Sequence, residues 1–174
     1  MVSQLLYTGV IALTALERVA ELVVGHRNLK WSLSKGGVEF GQGHWPFMVV
    51  LHTALLLGCL AEVWLLRPTF SPWVGYPMLA LAIGCQALRW WCIQSLGRRW
   101  NPRVIIVPDL PLIKTGPYRW LTHPNYVAVV LEGIALPGIH GAWWTAGIFT
   151  LLNAGLLTVR IRTENAALAT LPKA

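Results

Sequence analysis

The segment 122–126 has the composition of a helix start that can bind an anion. Pro124 suits the first position of a helix, and His123 before it is biased away from helical geometry. The helix that begins here presents unpaired backbone N–H groups and the positive end of its dipole, an arrangement that binds carboxylates. A plain polar cap with His123 at the membrane interface explains the same residues, and their spacing does not separate the two interpretations.

A second group of polar residues is spaced to lie on one face of a later helix. Asn153, Arg160 and Glu164 are separated by seven and four residues, which brings them to the same side of an α-helix. This helix begins in an apolar run, and ionisable residues at membrane depth are functional candidates. Two simpler interpretations remain open: Arg160 is close enough to the boundary to extend its charge into water, and it is placed to pair with Glu164 at i,i+4.

Several other chemistries have no recognisable motif in the sequence. The five histidines form no H-x-H, HExxH or His/Cys cluster, so we expect no metal site. There is no GxGxxG, P-loop or GxSxG motif. The cysteines at 59, 85 and 92 lie in apolar runs without CxxC spacing, and we interpret them as buried or lipid-facing apolar residues.

The composition indicates a membrane protein. Of 174 residues, 55% are hydrophobic and 12% are charged, whereas about 25% are charged in an ordinary soluble domain. A soluble chain of this length could not cover its surface with so few charged side chains. The excess of 14 Lys and Arg over 7 Asp and Glu is typical of basic cytoplasmic loops, so we expect no nucleic-acid partner.

Five apolar runs predict an all-α integral membrane protein with about five transmembrane helices. The second run has 22 residues, which rise about 33 Å as a helix and cross the hydrocarbon core. The last two runs are separated by a short break at Pro137-Gly138, which predicts a helical hairpin. The predicted spans are residues 2–25, 45–66, 74–96, 124–139 and 141–161.

The basic residues predict the orientation of these spans. They concentrate in loops 26–44 and 97–123 and at the C-terminal end, whereas the links 67–73 and 137–141 carry one and none. Since such residues mark cytoplasmic loops, the N-terminus is expected outside. The residues concerned are Arg27, Lys30, Lys35, Arg98, Arg99, Arg103, Lys114, Arg119, Arg160, Arg162 and Lys173.

Loop 97–123 is long enough to be a functional segment. Residues 104–107 and 112–113 are apolar and flank a proline-containing turn at 108–111, a pattern that predicts a short extended hairpin within the loop. Gly116-Pro117-Tyr118 has the composition of a turn. We therefore expect an ordered segment that leads into the helix start at 122–126.

From residue 97 to residue 168 the sequence resembles the isoprenylcysteine carboxyl methyltransferase family. The family pattern runs G-P-Y, then R-H-P-x-Y, a helical hairpin and an R…E-E-x-x-L ending. Two positions differ, because Thr122 stands for the usual Arg before His-Pro and Asn165 stands for the second Glu. The first half, with Arg18-x-x-Glu21-Leu22 and residues 37–41, is similar to the small bacterial branch that is often linked to phenolic-lipid synthesis.

The resemblance implies an integral-membrane enzyme that uses S-adenosylmethionine, bound by a cytoplasmic loop. Arg160 would orient an acceptor carboxylate or phenolate, Glu164 and the His123 region would hold the amino acid part of the cofactor, and two tyrosines would wall its ring or ribose. Methyl transfer requires an in-line acceptor and a site without water, but no metal. The implied catalytic residues are Arg160 and Glu164, and the implied cofactor-binding residues are Gly116, Pro117, Tyr118, His123, Pro124, Asn125, Tyr126 and Glu164.

These expectations combine into a three-span membrane region at 1–96 and a methyltransferase core at 97–174. The acceptor is expected to be lipophilic, an isoprenylcysteine-type carboxylate or a phenolic polyketide lipid, and to enter from the lipids of a bacterial cytoplasmic membrane. Two alternatives remain. An NADPH-dependent sterol-type reductase needs more spans than 174 residues provide. A non-catalytic lipid-binding protein gives no reason for Arg160, Glu164 and His123 to converge.

Overall fold

Five α-helices form most of the chain in the computed structural model, which describes residues 1–108 and 110–169. Each predicted span corresponds to one helix, so the helical class is confirmed. Asp109, in the predicted turn, and Lys173, at the basic C-terminal end, lie outside the described residues. The helices are α1 (Val2–Ser34), α2 (Trp45–Leu66), α3 (Pro72–Leu96), α4 (Pro124–Gly138) and α5 (Trp143–Leu168).

Helix α1 continues well beyond its predicted span. The polar residues at 26–28 do not end it, because Asn28 is buried and its amide donates to the carbonyls of Gly97 at 3.2 Å and Trp100 at 2.7 Å. The helix stops before Gly36, whose φ of 77° is readily adopted by glycine. The extension brings α1 alongside loop 97–123.

Two helices in the described part of the chain are long and apolar enough to cross a membrane, Gln42–Leu66 and Trp143–Leu168. Helix α1 contains three charged residues near its middle. Helix α4 has 15 residues, a rise of about 22 Å against a hydrocarbon core of about 30 Å. Five membrane-crossing helices therefore remain a prediction. The bundle nevertheless exposes large apolar side chains on its outer surface, among them Leu65, Trp73, Trp144 and Leu151.

The predicted hairpin within loop 97–123 is wrong. Strand β2 (Val104–Ile106) pairs antiparallel with β1 (Val38–Phe40), which belongs to the other basic loop. This pairing lets the Arg103 guanidinium reach the Glu39 carboxylate at 3.1 Å and lie 5.4 Å from the centre of the Trp45 ring. A hairpin closed within one loop provides neither contact. The strand pair joins the two basic loops at one end of the bundle.

The bundle interior changes character along the helix axes. Its apolar core lies at the end away from the strands and includes Tyr7, Cys59, Val63, Leu136 and Phe149. Nearer the strands, α1, α3 and α4 contribute a group of charged side chains that we call the ionic cluster. Its members are Glu17, Arg18, Glu21, Arg89 and Glu132.

The ionic cluster is internally paired. Arg89 donates to Glu132 at 2.5 Å, and Arg18 reaches Glu21 at 2.9 Å and Glu132 at 3.4 Å. Arg89 and Glu132 are each 5% exposed. Because removing one partner of a buried pair leaves an uncompensated charge, these contacts hold the three helices in a defined arrangement.

Candidate active site

Two neighbouring cavities occupy the end of the bundle that carries the strands. The larger, which we call the loop cavity, has a volume of about 420 Å³ and lies between loop 97–123, the start of α4 and the end of α5. The smaller, the helix cavity, has a volume of about 160 Å³ and lies among the helices. Four residues line both cavities and form what we call the shared wall: Trp100, Asn125, Tyr126 and Arg160.

Arg160 is buried in the shared wall and held from two sides. Its Nε donates to the Tyr126 hydroxyl at 2.9 Å, and its Nη2 donates to the Pro102 carbonyl at 2.6 Å. The guanidinium carbon also lies 5.7 Å from the centre of the Tyr126 ring. Within the described residues Nη1 makes no hydrogen bond. A donor of a fixed guanidinium is thus left for a ligand.

Glu164 lies one turn further along α5 and contacts Tyr126 rather than Arg160. One carboxylate oxygen accepts from the Tyr126 hydroxyl, and the other lies 3.7 Å from Nδ1 of His123. Nε2 of His123 is 2.9 Å from Oδ1 of Asn165. The residue that differs from the family pattern at 165 therefore holds the histidine ring.

The His123 ring faces oxygen atoms at both nitrogens, which favours its protonated form because only the imidazolium donates from both. The Glu164 carboxylate raises the pKa of His123 above its ordinary value, with burial acting in the opposite direction and Asn165 adding to the rise. His123 therefore occupies the position before α4 without a side-chain cap hydrogen bond, and its ring contacts Glu164 and Asn165 instead.

The start of α4 stays free of a side-chain cap. Pro124 occupies its first turn, and no side chain among the described residues accepts a hydrogen bond at this cap. Asn125 lines both cavities and has a buried Oδ1 without a hydrogen-bond partner. Pro124 has no N–H and the Tyr126 N–H donates to the His123 carbonyl at 3.1 Å, so the helix start contributes the positive end of its dipole and the unsatisfied Asn125 amide oxygen.

The carbonyl that holds Arg160 is positioned by a close approach to α1. A methyl group on Gly25 would lie 2.5 Å from Cδ of Pro102, so only glycine allows the proline ring to lie against this helix. The Asn101 amide also donates to the Gly25 carbonyl at 3.4 Å. Pro102 is therefore fixed between α1 and the end of α5.

The structure brings most of the predicted site residues together. The loop cavity is lined by Tyr118, His123, Asn125, Tyr126, Arg160 and Glu164. Burial raises the pKa of Tyr118, so its hydroxyl remains a donor. Asn153, which the spacing placed on the same helix face as Arg160 and Glu164, is buried two turns deeper and lines neither cavity.

Three predicted residues shape the site without lining it. Gly116 begins the 3-10 turn Gly116–Arg119 with a φ of 59° and packs closely on Ser95. Pro117 and Pro124 are buried at the start of that turn and of α4. Their positions indicate that they set the path of the chain on which Tyr118 and His123 stand.

Other residues of the two cavities had no assigned role in the sequence. The helix cavity is lined by Arg18 and Glu21 of α1, His52 of α2 and Arg89 of α3. Their occurrence as polar residues within apolar runs is a detectable signal. The Pro102 carbonyl gives no such signal, because any residue carries a backbone oxygen.

Residues 78–170 match the sequence profile of the isoprenylcysteine carboxyl methyltransferase (ICMT) family, which is more than half of the chain. The chain belongs to this family, whose members are membrane methyltransferases. The family resemblance inferred from the sequence is thereby confirmed.

Two bacterial proteins are similar over nearly the whole chain. The uncharacterized protein YpbQ of Bacillus subtilis is 38% identical over 159 residues, which cover 91% of this chain and 94% of that protein. An uncharacterized protein of Haemophilus influenzae is 25% identical over 155 residues, covering 87% and 88%. Both similarities extend into the first half of the chain and agree with a small bacterial branch of the family.

Proposed function

We propose that this protein transfers a methyl group from S-adenosylmethionine to an oxygen of a lipophilic acceptor at the cytoplasmic face of a bacterial membrane. The observation that carries this proposal is the shared wall, in which Arg160 and Tyr126 line both cavities. A polar cofactor in the loop cavity and an acceptor headgroup in the helix cavity would meet there. Such juxtaposition is the main requirement of methyl transfer.

The residues of the loop cavity fit S-adenosylmethionine. The volume of about 420 Å³ is in the range of small-molecule sites. The Glu164 carboxylate is complementary to the ammonium group of the cofactor, and the uncapped start of α4 is complementary to its carboxylate. Tyr118 and Tyr126 supply aromatic walls, and Asn125 supplies an unsatisfied amide oxygen. When bound, the cofactor supplies a methyl group activated by a positively charged sulfur.

The task of Arg160 is to orient the acceptor oxygen and stabilise its anionic form. Tyr126 and Pro102 hold the guanidinium, so the remaining donor is already aimed before a substrate arrives. Preorganised donors of this kind contribute about 3 to 4 kcal/mol to other reactions. Trp100 is 4% exposed and helps to exclude water from the same wall.

The tail of the acceptor would lie among apolar side chains and extend between α1 and α2 to the outside of the bundle. Met48, Leu56 and Val129 line the helix cavity. Leu22 of α1 and Val49 of α2 also line it, and both are exposed on the outside of the bundle. An isoprenylcysteine-type carboxylate or a phenolic polyketide lipid, with its chain between α1 and α2, meets these conditions.

Cofactor binding to the detergent-purified protein, followed by calorimetry, tests the proposal. We expect binding of S-adenosylmethionine and its demethylated product, and labelled methyl transfer to N-acetyl-S-farnesylcysteine or to a long-chain alkylphenol. The exposed Arg162 on the same helix provides the control, since Arg162→Ala should act as the wild type and Arg160→Ala should not. Binding of NADPH instead would favour the reductase, and lipid binding without cofactor binding would favour a non-catalytic protein.

A further inference from the structure

The C-terminal end of α1 contacts the chain segment 97–102, which leads into the candidate active site. This segment contributes Trp100 to the shared wall, and its last residue, Pro102, accepts a hydrogen bond from Arg160. The family profile begins at residue 78 and does not include α1. The contacts between α1 and segment 97–102 therefore involve a part of the chain outside the family motifs.

Asn28 binds this segment through its side chain. It is 8% exposed, and its Nδ2 donates to the carbonyl oxygens of Gly97 at 3.2 Å and Trp100 at 2.7 Å. Both protons of one amide nitrogen are thus used on a single turn. The same turn is closed by the Trp100 N–H, which donates to the Gly97 carbonyl at 3.1 Å. Asn28 therefore attaches both ends of the turn to α1.

Gly25, one turn earlier on α1, positions the residues that follow this turn. A methyl group on Gly25 would lie 2.5 Å from Cδ and 2.8 Å from Cγ of Pro102, and contacts below 3.0 Å force something to shift. The Gly25 carbonyl also accepts from the Asn101 amide at 3.4 Å. The proline ring keeps its place only while residue 25 has no side chain.

The direction of the free Arg160 donor depends on the place of Pro102. Within the described residues, Arg160 has two hydrogen-bond partners, the Tyr126 hydroxyl at Nε and the Pro102 carbonyl at Nη2. Two contacts on different nitrogens fix the plane of the guanidinium, whereas one contact lets the plane turn. A functional group has to be held within about 0.5 Å and 10–20° of its productive geometry.

We propose that Asn28 and Gly25 are positioning residues for Arg160, on which they act through segment 97–102 and the Pro102 carbonyl. This inference rests on the proposed function, because it treats Arg160 as the residue that binds the acceptor oxygen. Neither Asn28 nor Gly25 lines the loop cavity or the helix cavity. A helix that served only to anchor the protein gives no reason for a buried amide with both protons donated to one loop.

The test compares Asn28→Leu and Gly25→Ala with a matched control for each. Gln4→Leu removes another buried amide of α1, which donates to the Val63 carbonyl at 3.1 Å at the other end of the bundle. Gly9→Ala adds a methyl group on α1 where no atom lies within 4 Å.

Each variant is assayed in detergent for four quantities. These are the kcat for labelled methyl transfer to N-acetyl-S-farnesylcysteine or a long-chain alkylphenol, the Kd of the same acceptor without cofactor, the Kd of S-adenosylmethionine and the melting temperature. The acceptor Kd reports on Arg160 without requiring turnover.

We expect Asn28→Leu and Gly25→Ala to lower kcat by about tenfold or more, since a misplacement of about 1 Å can cost about a hundredfold. Both should weaken acceptor binding and leave the cofactor Kd unchanged. Gln4→Leu should lower the melting temperature, as Asn28→Leu does, because each leaves a backbone carbonyl without its partner. Gln4→Leu and Gly9→Ala should both keep the wild-type kcat. If Gly25→Ala does not fold, Asn28→Leu decides the test.

Combination with Arg160→Ala separates positioning from general destabilisation. If Asn28 acts through Arg160, Asn28→Leu should cost less than about twofold in kcat once the guanidinium is absent, because coupled residues are not additive. An equal loss in both backgrounds overturns the inference, as does a wild-type kcat in folded Asn28→Leu. A wild type that binds no S-adenosylmethionine refutes the proposed function instead, and the acceptor Kd then tests the positioning alone.

Discussion

Arg160 donates a hydrogen bond to the hydroxyl of Tyr126 at 2.9 Å, and that hydroxyl in turn donates to Glu164. The guanidinium and the carboxylate stand four residues apart on α5, a spacing that favours a direct ion pair. The intervening phenol leaves each charged group with capacity for a ligand. Tyr126 therefore connects a residue suited to the acceptor with a residue suited to the cofactor.

Removing the guanidinium should slow methyl transfer more than it weakens cofactor binding. For Arg160→Ala we expect kcat to fall by the equivalent of about 3 to 4 kcal/mol, with a nearly unchanged Kd for S-adenosylmethionine. Arg160→Lys should recover activity only in part, because an ammonium group cannot reproduce the fork held by Tyr126 and Pro102. Glu164→Gln should mainly raise the Kd for S-adenosylmethionine and change kcat less. Full activity of Arg160→Ala would refute the assignment.

Removing the connecting hydroxyl should affect turnover through the position of Arg160. For Tyr126→Phe we expect a loss of about tenfold in kcat, since one hydrogen bond to a charged group contributes about 1.5 kcal/mol or more. Tyr7→Phe is the control, because Tyr7 is also buried and donates to the Leu136 carbonyl at the far end of the bundle. It should lower the melting temperature and leave the kcat of folded protein unchanged. Equal kcat values for the two variants would contradict the connecting role.

The pairing of His123 with Glu164 predicts a pH dependence of stability. The pKa of His123 is raised in the folded protein, so its contribution is fully present below the ordinary value of about 6.5 and is lost as pH rises through the raised value. The melting-temperature difference between wild type and His123→Gln should therefore shrink as the pH rises from about 6.5 through the raised pKa of His123. His26→Gln, at an exposed position of α1, is the control and should keep the wild-type profile. A difference that stays constant over this range argues against an imidazolium–carboxylate pair.

The strand pairing sharpens the topology prediction, because the loops that carry β1 and β2 must face the same side. Single cysteines replacing the exposed Lys35 and Arg98 should both be labelled by an impermeant maleimide only from the cytoplasmic side. A cysteine replacing Arg67, in the link between α2 and α3, should be labelled from outside. The native cysteines at 59, 85 and 92 are buried and give a low background. Labelling of positions 35 and 98 from opposite sides would exclude the proposed orientation.

The helices and much of the candidate site were predictable from the sequence for identifiable reasons. Long apolar runs mark helices directly, and the order of the motifs around His123 and Arg160 carries the resemblance to the family. The spacing of Arg160 and Glu164 placed both on one face, but spacing within one helix cannot reveal that Tyr126 of another helix separates them. The ion-pair partners of Arg89 and Glu132 could not be predicted either, because they lie on other helices.

The strand pairing was not predictable, because each strand has three residues and the partners are far apart in the chain. So short a segment contains too little alternation to identify its partner, and the nearer segment at 112–113 offers an equally apolar pattern. The burial of Asn28 is a related case. The polar residues at 26–28 suggested the end of the helix, whereas hydrogen bonds from Asn28 to a distant loop allow the helix to continue.

The pairing of Glu39 with Ile105 across the two strands also bears on how the protein is made. A ribosome delivers the first strand long before the second, and it delivers Glu21 and Arg18 before their partners on α3 and α4. Contacts between such distant parts of a chain form late in folding. Arg18 can pair with Glu21 within α1, but the second carboxylate of this helix segment, Glu17, leaves a surplus negative charge until Arg89 is made. Both cavities include residues of α5, so they form only after the last helix is made.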